Sequence, residues 1–179
     1  MKKKTMLELG RMSAEEYRQA AKIPLTVVLD DVRSELNVGS ILRTADAFAV
    51  ERVILCGITG KPPSHEIHKT ALGAEDSVQW SYCDSALAAV EALKQEGYHV
   101  AAVEQVHGSV SLEQVDAPPA ARMALVLGNE VKGVSQEVID ACHSCLELPQ
   151  YGTKHSLNVA CTAAIVIWHF FNLLSPKQK

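Results

Sequence analysis

The chain has 179 residues, of which 47% are hydrophobic and 21% are charged, and its net charge is −4. This length fits one globular domain that folds without disulfides or metal, and the composition excludes a disordered or collagen-like chain. The aromatic content of 5% argues against a stacking platform for single-stranded nucleic acid, and the negative charge argues against a uniformly basic clamp. Residues 1–22 nevertheless carry six Lys and Arg against three acids, so the amino-terminal end permits contact with phosphate.

The cysteines and the two ends of the chain indicate the cellular compartment in which the protein functions. The five cysteines are an odd number, and three of them lie in apolar runs, as is typical of reduced thiols in the cytoplasm. The start of the chain lacks an apolar stretch of signal-peptide length. The apolar run 157–174 contains Asn158, Thr162, His169 and Asn172, which favours a buried helix over a membrane anchor. We therefore expect a cytoplasmic protein.

Strand and helix patterns alternate along the chain. A β-branched run at 25–29 is the first predicted strand, and the apolar spacing of 37–50 predicts a helix capped by Asn37. The other predicted strands lie at 52–56, 78–82, 98–103, 123–127 and 145–148. The other predicted helices lie at 65–72, 85–96 (with Asp84 as its cap and Gly97 as its end), 135–142 and 156–174. This alternation predicts one α/β domain with a mostly parallel sheet and no dividing linker.

Ligands of such sheets bind outside the carboxyl ends of the strands, which directs attention to three loops. These loops are 30–39, 128–135 and 149–158. The dinucleotide fingerprint GxGxxG, the phosphate loop GxxxxGK[ST] and the hydrolase elbow GxSxG are all missing from the sequence. A Rossmann dehydrogenase, a P-loop ATPase and an α/β hydrolase are therefore disfavoured.

Taken together, in their order and spacing, the loops closely resemble the three motifs of the SpoU/TrmH-type RNA 2′-O-ribose methyltransferases of the SPOUT superfamily. The three segments are NVGSILRTADAFAV, LVLGNEVKGVS and LPQYGTKHSLNVA, of which SLNV is the most specific piece. The resemblance covers residues 25–168. This sequence departs from the usual family pattern at three positions, having Leu148 for Ile, Gln150 for Met and Ala160 for Ser.

The resemblance implies an α/β fold with a mostly parallel six-stranded sheet, helices on both faces and a C-terminal trefoil knot. It implies a methyltransferase domain at 25–174, preceded by a short extension at 1–24 and followed by a tail at 175–179. It further implies a homodimer with the site near the subunit interface, S-adenosylmethionine as the cofactor, and a tRNA or rRNA substrate methylated on a ribose 2′-hydroxyl. Neither a metal nor a membrane is expected.

The same resemblance implies roles for individual residues. Gly128, Leu148 and Leu157 border the adenine and ribose of the cofactor, and Glu104 is a further candidate contact. Arg43 is the key residue of the acceptor side. Because an arginine stays protonated in proteins, we expect Arg43 to hold a phosphate and stabilise the alkoxide rather than act as a base. Four residues are expected to orient Arg43 and the ribose, with Glu130 as its direct partner: Asn37, Glu130, Ser156 and Asn158.

Two alternatives from other classes stay open at this stage. The first is a non-catalytic RNA-binding protein that retains the methyltransferase fold. The second is a metal- or thiol-dependent enzyme that uses Cys142, His143 and Cys145, although this single CxxC lacks the second ligand pair of a structural zinc site.

Overall fold

The computed structural model describes residues 1–5, 8, 10 and 12–175. Its strands are β1 (Ile23–Asp30), β2 (Val50–Cys56), β3 (Trp80–Cys83), β4 (His99–Val103), β5 (Val110–Ser111), β6 (Met123–Leu127) and β7 (Ser144–Glu147). Its helices are α1 (Ala14–Gln19), α2 (Glu35–Ala47), α3 (His65–Ala71), α4 (Ala74–Ser77), α5 (Ala86–Gln95), α6 (Gln136–Ala141) and α7 (Val159–Leu174), with a 3₁₀ turn at Leu112–Gln114.

All strands belong to one parallel sheet with the order β3-β2-β1-β6-β4-β7-β5. The strand β1 lies near the centre, and its apolar side chains are buried because helices cover both faces of the sheet. Leu25, Val27 and Leu29 contribute to one core, whereas Val28 points into the other. The predicted α/β class with a parallel sheet is therefore confirmed.

The helices divide between the two faces. Residues of α2 and α7 pack into the larger core, while residues of α5 and α6 pack into the smaller one. The described sheet has seven strands instead of the expected six, because the two-residue strand β5 adds to β7 at its edge. A strand this short leaves no periodic pattern in the sequence.

Several helices begin at other residues than predicted. Ser34, rather than Asn37, is the cap of α2, since its hydroxyl accepts a hydrogen bond from the backbone of Asn37. Ser85 replaces Asp84 as the cap of α5, and α7 starts after Asn158 instead of at Ser156. Clusters of Ser, Asp and Asn contain several possible caps, and tertiary contacts select among them.

Part of the expected extension at 1–24 packs on the domain. The short helix α1 has a capping box between Ser13 and Glu16, and the hydroxyl of Tyr17 donates to the Ala45 carbonyl of α2 at 3.3 Å. The strand β1 already begins at Ile23. Of the expected tail at 175–179, only Ser175 lies within the described residues, and no described helix is long and apolar enough to cross a membrane.

Candidate active site

A cavity of about 640 Å³ opens at the carboxyl ends of β4, β6 and β7. The loops that follow these three strands supply its walls, together with the first turn of α7. All four residues expected to contact the cofactor line it, namely Glu104, Gly128, Leu148 and Leu157. Three of the five residues expected on the acceptor side line it as well, namely Glu130, Ser156 and Asn158. The second and third sequence motifs thus meet at this cavity, as expected at the carboxyl end of a parallel sheet, whereas no residue of the first motif lines it.

The loop after β6 requires glycine where it enters the cavity. A Cβ on Gly128 would lie 2.1 Å from the carbonyl carbon of Gly133 and 2.2 Å from the backbone nitrogen of Val134. The chain folds back on itself here, since Asn129 and Gly133 exchange backbone hydrogen bonds of 3.0 and 2.9 Å. A side chain at Gly128 would therefore push the loop apart and change the shape of the cavity wall.

Glu104 braces this loop from the neighbouring strand β4. One carboxylate oxygen accepts the backbone N–H of Val134 at 2.9 Å, and the other accepts the backbone N–H of Gln105 at 2.9 Å. The same carboxylate lies where a Cβ on Gly133 would stand, at 2.0 Å. Both oxygens are thus engaged by the protein itself, and Glu104 shapes the wall of the cavity.

Glu130, Asn37 and Asn158 form a hydrogen-bonded chain along one edge of the cavity. The Asn158 amide donates to the Asn37 side-chain oxygen at 3.1 Å, and the Asn37 amide donates to Glu130 Oε1 at 2.9 Å. Glu130 also accepts the backbone N–H groups of Arg33 and Ser34 at 3.0 and 2.9 Å. One carboxylate thereby ties the loops after β1 and β6 together and orients both amides.

The environment of Glu130 keeps its carboxyl group ionised. Partial burial raises the pKa of Glu130, but the hydrogen bonds from Arg33, Asn37 and Ser34 together outweigh it, and the pKa ends below its ordinary value. A carboxylate with a lowered pKa is a weak proton acceptor. The geometry therefore suits Glu130 for positioning its neighbours rather than for general-base work.

The structure corrects the expected position of Arg43. It lies in the third turn of α2, about 9 Å along the helix axis from Asn37, rather than near the start of the helix. It is exposed, it does not line the cavity, and it makes no side-chain hydrogen bond or ion pair with any described residue. The expected pairing of Arg43 with Glu130 is absent within the described part of this chain, because Glu130 is engaged by the loop after β1.

The third loop is the most exposed wall of the cavity. Every residue from 151 to 158 is exposed, including Ser156 and Leu157, and the Gln105 side chain donates to the His155 carbonyl at 3.0 Å. Asn158 ends the loop as the cap of α7, where its side-chain oxygen accepts the backbone N–H groups of Ala160 and Cys161. This cap is one reason for an asparagine at this position of the SLNV motif.

Asn129 is a structurally important residue that the sequence analysis did not single out. Its amide donates to the Asp31 carbonyl at 2.7 Å, and its side-chain oxygen accepts the backbone N–H groups of Val131 and Lys132. Its place in the LGNE segment is the only signal in the sequence. Arg33 was likewise not singled out, although its backbone N–H is bound by Glu130.

None of Cys142, His143 and Cys145 lines this cavity. His143 immediately precedes β7 and Cys145 is its second residue, whereas the next residue, Leu146, does line the cavity. Burial raises the pKa of the Cys142 thiol to about 12, which disfavours a reactive thiolate. Within the described residues, no group of three or more His, Cys, Asp or Glu side chains could hold a metal ion.

Comparisons with known proteins found relatives of similar sequence and fold. A protein from Staphylococcus aureus that carries the provisional name "TrmH family tRNA/rRNA methyltransferase" is 27% identical to this chain over 157 residues. The match covers 88% of this chain and 62% of the relative. An "AdoMet bound rRNA methyltransferase" from Sinorhizobium meliloti superposes with a TM-score of 0.78 at 26% identity, covering 89% of this chain and 61% of that one. A structure described as giving insights into "2-OH methylation of C/U34 on tRNA" has a TM-score of 0.72 at 26% identity, covering 84% of this chain and 95% of that one.

The chain therefore spans less than two thirds of the length of the curated relative and of the Sinorhizobium structure. The sequence profile of the SpoU rRNA methylase family matches residues 24–168, which include all three loop motifs and every strand of the sheet except the first residue of β1. This chain belongs to the SpoU methylase family.

Proposed function

We propose that the chain transfers a methyl group from S-adenosylmethionine to a ribose 2′-hydroxyl of a structured RNA, either tRNA or rRNA. The observation that carries this proposal is the convergence of the second and third motif loops on one cavity at the carboxyl edge of the sheet, where Asn37 of the first motif is hydrogen-bonded to Glu130 and Asn158. Relatives of the chain are named as RNA methyltransferases, and one neighbour is crystallised with AdoMet.

The cavity fits the proposed cofactor in size and in lining. Its volume of about 640 Å³ falls within the range of about 300–1,000 Å³ that is usual for small-molecule sites. Gly128 leaves backbone exposed at the wall, and Leu148 and Leu157 add apolar surface that suits an adenine ring. When bound, S-adenosylmethionine supplies the methyl group on a sulfonium that is already activated for transfer.

The protein then has to orient the acceptor and stabilise the developing negative charge on its oxygen. Gly128, Leu148 and Leu157 would hold the donor so that its methyl group could pass to the ribose 2′-oxygen, with the sulfur left as a neutral thioether and the hydroxyl proton released to water. Arg43 keeps its proton and binds the phosphate and the alkoxide. Asn37 and Asn158, held by Glu130, present amide groups to the ribose from the edge of the cavity.

The proposal includes a homodimer, because Arg43 does not reach the cavity of its own chain. α2 and α7 pack side by side, and each presents one solvent-facing stripe. Arg43 lies on the stripe of α2, and exposed Ile165 and Trp168 lie on that of α7, with 44% and 51% of their surfaces accessible. Contiguous exposed apolar side chains are typical of a subunit interface. A dimer through these stripes would bring Arg43 to the interface, next to the site.

The decisive experiment is methyl transfer from labelled donor to unmodified total RNA, followed by mapping of the labelled nucleotide. A 2′-deoxy substitution at that nucleotide should abolish transfer and weaken RNA binding only modestly, since one hydroxyl contributes on the order of 1 kcal/mol. Undiminished transfer to the deoxy substrate would contradict the ribose assignment and indicate a base methyltransferase.

The second candidate is an RNA-binding protein that retains the fold without turnover. One measurement distinguishes it from the enzyme: calorimetry should detect binding of S-adenosylmethionine to the enzyme and none to the RNA-binding protein. The Asn37 and Asn158 amides that Glu130 orients at the edge of the cavity favour the enzyme, since they lie where a ribose would meet the methyl donor. Activity that survives a chelator and Cys142→Ser would exclude the metal- or thiol-dependent alternative.

Two finer expectations complete the proposal. The C-terminal trefoil knot that the resemblance implies is supported by the packing of loops 128–135 and 148–158 around one cavity. A crystal structure in which the C-terminal segment does not pass through a loop of the chain would contradict it. We also propose a cytoplasmic location, where tRNA and rRNA substrates are available, and fractionation of cells that express the protein tests it.

A further inference from the structure

A second, smaller cavity adjoins the first. Its volume is about 370 Å³, and its lining comprises Arg33, Ser34, Glu130 and Val131. Glu130 and Val131 line both cavities, so the two are contiguous at the loop after β6. The size lies at the lower end of the range of about 300–1,000 Å³ for small-molecule sites, which suits one nucleotide.

Arg33 is the cation of this smaller cavity, and its backbone is held in place. Its backbone N–H donates to Glu130 Oε2 at 3.0 Å, and that of the next residue, Ser34, donates to Oε1 at 2.9 Å. Ser34 also caps α2, which fixes the chain immediately after Arg33. The guanidinium, in contrast, is exposed and makes no hydrogen bond or ion pair with any described residue. Glu130 does not pair with it, because its oxygens accept amide hydrogens.

The rest of the mouth has matching chemistry. The Val131 side chain is 77% exposed although it is apolar, and the loop that carries it is fixed by Asn129. Lys132 follows it, lines the larger cavity, and is also exposed without a side-chain partner among the described residues. Val131 lines both cavities, while Arg33 lines the smaller and Lys132 the larger, so two cations and an apolar side chain share the mouth. This set complements a nucleotide, which has a charged phosphate and a flat, mostly apolar face.

We propose that the smaller cavity binds the RNA strand beside the methylated nucleotide, with the Arg33 guanidinium on a backbone phosphate and Val131 against the adjoining sugar or base. This inference rests on the proposed function, since it assigns the acceptor-side surface of that same site. An arginine suits the role because its planar fork binds a phosphate through two parallel hydrogen bonds. Arg33 does so from the edge of the cavity itself, whereas Arg43 lies on the exposed stripe of α2.

The test compares Arg33→Gln with Lys94→Gln, which removes the same charge. Lys94 is exposed near the end of α5 and donates to the Ala141 carbonyl, far from both cavities. Affinities are measured for a pool of unmodified tRNA transcripts and a pool of rRNA fragments, without methyl donor, over a series of salt concentrations. Arg33→Gln should weaken RNA binding about tenfold, as expected for one charged hydrogen-bonded contact. It should also lower the slope of log K against log salt by about one, as loss of one phosphate contact does.

The other readouts separate the possible outcomes. Arg33→Lys should restore the salt slope, which depends on charge, without restoring the full affinity, which depends on the planar fork. Binding of S-adenosylmethionine, followed by calorimetry, should be unchanged in all three variants. The inference is overturned if Arg33→Gln matches Lys94→Gln in affinity and slope, or if it lowers donor binding and leaves RNA binding unchanged. The RNA-binding measurements need no turnover and therefore test the Arg33 contact separately from the proposed function. A wild-type protein that transfers no methyl group would contradict the proposed function, and the binding data would still confirm or refute the Arg33 contact.

Discussion

Replacing Glu130 by alanine probes the connection between the loops after β1 and β6. The wild-type carboxylate accepts hydrogen bonds from the Arg33 and Ser34 backbone and from Asn37, at 2.9–3.0 Å. Hydrogen bonds to a charged group contribute about 1.5–3 kcal/mol each when buried, but these donors are partly exposed and can bind water in the variant. We therefore expect Glu130→Ala to lower the free energy of unfolding by about 2 kcal/mol in total.

The pH dependence provides a second, independent check. The folded-state pKa of Glu130 is lowered, so its contribution to stability is fully present well above the unfolded-state pKa and is lost as the pH falls through the folded-state value. The difference between wild type and Glu130→Ala should be full at about pH 7 and should shrink at about pH 4, close to the ordinary pKa of glutamate.

The assay is urea unfolding followed by circular dichroism at both pH values, with Glu91→Ala as the matched control. Glu91 is exposed on α5 and makes no hydrogen bond with a described residue, so its loss should change stability by less than about 0.5 kcal/mol. In a protein of this length, a loss of about 2 kcal/mol also lowers the melting temperature by roughly 4–8 °C. An effect of Glu130→Ala no larger than that of the control, or one that is equal at both pH values, would refute the assigned network.

Three further outcomes follow from the geometry. Gly128→Ala should weaken S-adenosylmethionine binding about tenfold in calorimetry, because the new Cβ meets the Gly133 backbone. The control Gly152→Ala has open space around its Cβ and should leave the affinity unchanged. Equal affinities of the two variants would contradict the tight turn at Gly128. In sedimentation, the wild-type protein should have about twice the 19.4 kDa mass of one chain. Trp168→Glu should convert this dimer into monomers, because it puts a charge into the proposed apolar interface. A wild-type protein that is active as a monomer would contradict the proposed dimer. Arg43→Ala should abolish transfer with donor affinity nearly unchanged, and a collapse of donor binding would place Arg43 in the donor site instead.

Local sequence patterns were sufficient to predict the α/β class and most elements. An apolar run of only five residues, such as 123–127, favours a buried strand over a helix because of its length, and the spacing of apolar residues in 37–50 predicts a helix. The motif residues Gly128 and Asn158 were expected at the site, and both line the cavity. Motifs succeed here because backbone contacts at a parallel sheet edge require particular residue types at particular loop positions.

The tertiary structure decided which of these residues meet. Asn37 and Asn158 are 121 positions apart, and they touch only because α2 and α7 begin at the same edge of the sheet. Glu130 reaches the loop after β1, not Arg43, because β6 pairs directly with β1 in the sheet. Strand order is set by packing across the whole domain and leaves no periodic signal in the chain. The sequence alone thus determined what each loop carries, and the arrangement of the strands determined which side chains become partners.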